Sequence, residues 1–119
     1  MCAAFKEKQC EFQIKNYESL TCFADYRVPQ ILAEKGILEY SPELLEKIEK
    51  KVVMDYGCQM EVELRACMIQ AVEMICQRLA DTEGKKKLSA IEVDWLLWQV
   101  GERDKESIVP FHRVFSIFY

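Results

Sequence analysis

An aspartate flanked by apolar and aromatic side chains stands in the segment Phe23-Ala24-Asp25-Tyr26-Arg27-Val28-Pro29-Gln30. A carboxylate in such company is partly stripped of water, which suits it to face a ligand cation or a positive charge that develops during a reaction. The same residue type just ahead of a helix also caps free backbone N–H groups, and both readings of Asp25 stay open. A second candidate is the pair Glu61 and Arg65. Four residues apart on a helix, such a pair on a wet face is worth only a few tenths of a kcal/mol. Here it heads the face expected to pack inward. It therefore reads either as a structural ion pair or as part of a site. Glu63 falls on the solvated stripe. His112 beside Arg113 reads as structural, with a phosphate contact as the alternative. Tyr26, Tyr56, Trp95 and Trp98 carry rings able to stack on a base, although the tryptophan spacing also fits a core.

No glycine-rich phosphate loop, nucleophile elbow or metal-binding spacing occurs. The six cysteines, Cys2, Cys10, Cys22, Cys58, Cys67 and Cys76, form no CxxC pair, and there is one histidine. That argues against a structural zinc site. The cysteines read as reduced, largely buried small hydrophobes.

Helices must position these groups. Pro29 suits a first helical turn and Gly36 a stop, so a short helix is predicted from about Pro29 to Lys35. Ser41-Pro42-Glu43 is a stronger start, and Leu44, Leu45, Ile48 and Val52 extend the helical spacing through Val53, with Asp55-Tyr56-Gly57 as terminator. The longest periodic stretch is Glu61 to Asp81. Its polar stripe holds Glu63, Gln70, Glu73, Gln77 and Asp81; Met68, Val72, Ile75 and Leu79 lie opposite, with Glu61 and Arg65 at the head of that apolar stripe. Ser89-Ala90-Ile91-Glu92 is a capping box that opens a further helix with Ile91, Trp95 and Trp98 on one face, and Gly101 is the expected stop. Glu102 to Glu106 then reads as a loop. The aromatic ending from Pro110 to Tyr119 is expected to dock as an extended segment. Phe5 and Phe12 would suit one face of a short helix. With no sustained apolar/polar alternation, the fold class is all-α.

A chain of 119 residues fits one helical domain, able to bury roughly two thirds of the surface its unfolded form exposes. The formal net charge of −4 argues against a duplex-DNA binder, which needs clustered Lys and Arg. The one basic run, Lys85-Lys86-Lys87, reads as a solvated loop. No apolar run comes near the roughly 20 residues that span a bilayer, and Met1 to Lys6 lacks the apolar stretch of a secretory leader. A cytoplasmic location is the expectation, without membrane partners.

The segment from Phe23 to Gln30 resembles a signature of the queuosine salvage protein family, the queuosine 5′-phosphate N-glycosylase/hydrolases. Three further stretches agree in order: Gly36 to Ser41 (Gly-Ile-Leu-Glu-Tyr-Ser), Glu61-Val62-Glu63-Leu64-Arg65-Ala66-Cys67, and Pro110-Phe111-His112-Arg113 closing on Phe118-Tyr119. The resemblance covers about Ser19 to Tyr119 and corresponds to the family's C-terminal part, without its N-terminal region. It implies the helical C-terminal part of a helix-hairpin-helix DNA-glycosylase-like fold. It also implies hydrolysis of the N-glycosidic bond of queuosine 5′-monophosphate, a small-molecule nucleotide, to release queuine for tRNA modification, with no metal or organic cofactor. Queuine is a 7-deazaguanine and lacks the ring nitrogen that an acid would protonate, so catalysis must lean on stabilising an oxocarbenium-like sugar. Asp25 is matched to that role, electrostatically or as a nucleophile. Phe23 or Tyr26 would contact the base plane, with Arg27 beside them, and Glu61, oriented by Arg65, would read the protonated amine of the base's side arm. The alternative is a helical binding module derived from that enzyme but without turnover. Association through exposed apolar faces is a further expectation.

Overall fold

The computed structural model describes residues 15–104 and 109–119. After a 3-10 turn at Tyr17–Ser19 come α1 (Arg27–Glu34), α2 (Pro42–Glu49), β1 (Val53–Met54), α3 (Gln59–Asp81), α4 (Ala90–Arg103) and β2 (Arg113–Val114). The described part is mostly helical, as expected for an all-α chain. The predicted helix around Phe5 and Phe12, and the cysteines Cys2 and Cys10, lie outside the described residues.

Helix α1 begins earlier than its proline suggests. Asp25 Oδ1 accepts the backbone N–H groups of Arg27 and Val28 at 3.1 and 2.9 Å. Pro29 then occupies the third helical position, where a missing N–H costs nothing because the first four have no partner within the helix. The helix closes with Gly36 at φ 73°, where Gly36 N–H reaches Ala33 O and Ile37 N–H reaches Leu32 O. That left-handed closure is the reason for glycine there.

Helix α2 starts as read, with Ser41 Oγ accepting from Leu44 N–H and Pro42 leading the first turn. Its predicted extension to Val53 is not found. Lys51 takes the left-handed conformation at φ 55°, and Val52 N–H turns back to Lys47 O. This ends the helix at Glu49 and frees Val53–Met54 to pair in parallel with Arg113–Val114. Met54 enters a small core with Leu44, Ile48 and Leu64. The periodicity that ran on through Val52 therefore misled: Val52 and Val53 are exposed, and closing this core required a turn.

Helix α3 buries Glu61, Leu64, Met68, Ala71 and Val72, and its predicted polar stripe is exposed throughout. Ile75 and Leu79 pack half-buried against the main core, in which α1 supplies Val28 and Leu32, α3 Met68 and Val72, and α4 Ala90 and Val93. Helix α4 has the capping box complete in both directions. It does not stop at Gly101, however, and continues through Glu102 to Arg103. Gly101 is there for a close approach: a Cβ at this position would lie 2.8 Å from Cγ and Cδ of Arg27. The two tryptophans stack at 5.6 Å, but Trp95 is 57% exposed, so only Trp98 belongs to the core edge. The cysteine expectation holds for Cys22, is half met at Cys58 and Cys76, and fails at Cys67, which lies exposed on α3. Lys85 to Lys87 are solvent-exposed as read. No helix among the described residues is long and apolar enough to cross a membrane.

Candidate functional site

Asp25 is held in place from three directions. Its carboxylate caps α1 through Oδ1 alone, and its own N–H donates to Phe23 O at 2.9 Å across a tight turn centred on Ala24. Phe23 N–H in turn donates to Asp94 Oδ2 on α4 at 2.9 Å. Asp25 is only 8% exposed. Burial pushes its carboxyl up to about 6; the N–H groups of Val28 and Arg27 and the Arg27 charge pull the other way, and Asp94 adds to the rise. Burial raises Asp94 as well. Capping is thus realised, and it leaves the carboxyl short of water, a condition the site reading also requires.

The Phe23 ring is 57% exposed, while Tyr26 packs against Phe111 with ring centroids 4.8 Å apart. Arg27 is buried and committed within the chain. Its Nη1 donates to Gln30 Oε1 at 2.8 Å and its Nη2 pairs with Glu102 at 2.8 Å, while its guanidinium lies 5.5 Å from the Tyr26 ring and 5.7 Å from Phe111. Gln30 passes the connection on, donating to Val109 O at 2.6 Å. Arg27 therefore braces the aromatic wall and joins α1 to α4.

Glu61 and Arg65 sit in a second cluster. Glu61 is 1% exposed; Arg65 Nη1 lies 3.5 Å from its Oε1, Gly57 N–H donates to Oε2 at 3.2 Å, and the Tyr119 hydroxyl donates to Oε1 at 2.8 Å. Arg65 also lies over the Tyr119 ring, 5.1 Å from its centroid. His112 Nε2 is 3.1 Å from the same hydroxyl. With the hydroxyl proton directed at Glu61, Nε2 is the ring nitrogen that donates, and Nδ1 is buried with no partner. Burial lowers His112 to about 4, against the pull of Glu61, so the ring is neutral at ordinary pH. Burial and the bond to Glu61 raise the Tyr119 hydroxyl. The structure thus shows Glu61 engaged as a buried ion pair with a tyrosine partner.

Aromatic side chains from both clusters border one cavity. Tyr26, Phe111, His112 and Tyr119 line a cavity of about 310 Å³ that opens between β2 and the start of α1, whereas Phe23, Asp25, Arg27, Glu61 and Arg65 are not among its lining residues. One wall is aromatic and suited to a flat ring, and the Tyr119 hydroxyl on it donates to the buried Glu61 carboxylate. Asp94 was not singled out from the sequence, and Phe111 and Tyr119 figured there only in the terminal stretch that carries the resemblance, without a site role. For Asp94 a signal existed: it lies four residues after Ala90, four before Trp98 and seven before Gly101, on the inward side of α4. Phe111 and Tyr119 reach the site through the docking of the terminal segment, which its aromatic content announced without showing where on the fold it would dock. Glu63, Tyr56 and Trp95 stay exposed, away from this cavity. Among the described residues, no three metal-ligating side chains gather.

Comparison with known proteins matches residues 1–119 to the family model described as "Queuosine salvage protein". Among curated relatives, the queuosine 5′-phosphate N-glycosylase/hydrolase of Dictyostelium discoideum is 47% identical over 102 residues, covering 86% of this chain and 31% of the relative. The protein of that name from Sphaerobacter thermophilus is 44% identical over 100 residues, covering 84% and 30%. That of Mus musculus is 41% identical over 112 residues, covering 88% and 33%. The chain spans about a third of the length of the curated relatives it matches.

Proposed function

The chain belongs to the queuosine salvage protein family, and from that premise we propose that it contributes Asp25 and an aromatic wall to hydrolysis of the N-glycosidic bond of queuosine 5′-monophosphate. In the reaction the bond from sugar carbon to base nitrogen breaks with its electron pair leaving on the base. Water adds hydroxide to the sugar carbon, and the base takes up the proton. The leaving base is a 7-deazaguanine, so positive charge accumulates on the sugar. A carboxylate held under it in a water-poor site gains far more from that charge than it would in solution. The observation that carries this reading is that Asp25 is buried and caps the helix through one oxygen, so that the cap does not use the other. Phe23 and Tyr26 would contact the base plane. Glu61 would supply the negative charge that an ammonium on the base's side arm meets, with Tyr119 relaying it to the cavity wall and Arg65 orienting it. The helix-hairpin-helix DNA-glycosylase-like arrangement is part of the same reading, supported by the family membership and the helical make-up. Self-association through exposed Phe115 and Ile117 belongs to it too.

The test is incubation of the purified chain with queuosine 5′-monophosphate and detection of free queuine by mass spectrometry. Turnover that Asp25→Ala abolishes supports the reading; undiminished turnover in Asp25→Ala refutes the role of Asp25. A second reading is a helical module that binds the nucleotide without cleaving it. Saturable binding with no queuine released would support it.

A further inference from the structure

Helix α4 presents one carboxylate to the backbone just ahead of Asp25. Asp94 Oδ2 accepts Phe23 N–H at 2.9 Å, and Phe23 O accepts Asp25 N–H at 2.9 Å, so a single residue links the two acids through the main chain. The link spans 71 positions of sequence and fixes the segment against a helix that is itself anchored by the capping box at Ser89. Further along α4, Glu102 grips Arg27. The same helix therefore holds the segment on both sides of Asp25, at Phe23 and at Arg27. We propose that Asp94 is a positioning residue for Asp25, setting through Phe23 where the Asp25 carboxylate stands relative to the sugar of a bound nucleotide.

A neutral acceptor would suffice to hold one N–H group. An acid makes a stronger bond, but here it also costs desolvation and sets a like charge near Asp25, so its charge does a second thing: it disfavours the ionised form of its neighbour. The groups around Asp25 leave that effect exposed. Arg27, on its own helix, opposes it. Cys22 from the preceding segment is pushed up to about 12, and Tyr119 from the terminal segment is raised too, so both are uncharged at working pH. Asp94 is the negative group acting on Asp25 from α4.

This inference rests on Asp25 acting in the proposed hydrolysis, but its test does not require turnover. In the full chain, the Asp25 carboxyl carbon is followed by NMR against pH, with amide exchange at Phe23, in the parent, Asp94→Asn and Asp94→Ala. Asp94→Asn keeps an acceptor and loses the charge: the Phe23 amide should stay protected and the Asp25 midpoint should fall. Asp94→Ala loses both, so the Phe23 amide should exchange freely. Where queuine release is measurable, Asp94→Ala should lower kcat by on the order of 100-fold with little change in KM. Asp94→Asn should recover most of that loss, with the acid limb of its rate profile moved to lower pH. Unchanged Phe23 protection in Asp94→Ala together with an unchanged Asp25 midpoint in Asp94→Asn overturns the proposal. Absence of turnover in the parent counts against the hydrolase reading alone, because titration and exchange still decide the role of Asp94. If Asp94→Ala fails to fold, the Asp94→Asn titration decides.

Discussion

Replacing Asp25 by asparagine should make the protein more stable at neutral pH. Burial moves the carboxyl from 3.8 to about 6 in the folded chain. At about 1.4 kcal/mol per pKa unit, keeping this group ionised in the fold costs about 3 kcal/mol at pH 7.5. The sign follows from the raised value. Asp25 favours the folded state fully below 3.8, and that contribution is lost as the pH rises through about 6. Asparagine can still accept the N–H groups of Arg27 and Val28, since it caps helices about as well as aspartate. Allowing for a weaker uncharged acceptor, Asp25→Asn should gain about 2 kcal/mol at pH 7.5 and lie within about 1 kcal/mol of the parent at pH 4. Urea unfolding of both proteins at several pH values measures this, and the difference between the two curves isolates Asp25 from every other titrating group. A variant that is no more stable than the parent at pH 7.5, with a difference independent of pH, would show that Asp25 is not held charged at a cost. The desolvation argument for the site would then fall.

Gly101→Ala should cost about 1–3 kcal/mol, read as a lower melting temperature, because the new methyl meets the Arg27 stem at 2.8 Å and that stem is pinned by Gln30 and Glu102. Tyr119→Phe keeps the ring but removes the hydroxyl from Glu61 and His112, and should cost about 1–3 kcal/mol in urea unfolding. His112 is held near 4 against an ordinary 6.5, so it contributes stability above pH 6.5 that is lost as the pH falls through about 4. His112→Phe should therefore flatten the acid side of the stability curve by about 3 kcal/mol; an unaltered acid side would refute the buried neutral imidazole.

What could be read in advance were features written within a few residues of each other. Ser41-Pro42 and Ser89 with Glu92 announced two helix starts because a cap and its helix are neighbours in sequence. The placement of Glu61 on the inward face of α3 followed from the helical period alone, and it proved fully buried. What escaped depended on distant partners. Gly101 looks like a terminator until Arg27, on another helix, is seen crossing it. The end of α2 turns on Lys51 accepting a left-handed backbone, an unfavourable choice for a lysine that no local pattern predicts. Asp94 was hidden by its neighbours, since the capping box on one side and a tryptophan on the other drew attention to different faces of α4.

The parallel pairing of β1 with β2 has a kinetic corollary. Tyr119 meets Glu61 from 58 positions away, so this corner forms only after α3, α4 and the chain beyond them are in place, and it carries a large loop-closure cost. Contacts of that kind are expected to be absent from the folding transition state. Tyr119→Phe should then accelerate unfolding and leave the refolding rate almost unchanged, giving a φ-value near zero in a chevron analysis. Glu61 would be sealed last, which leaves this corner as the part of the molecule that opens first.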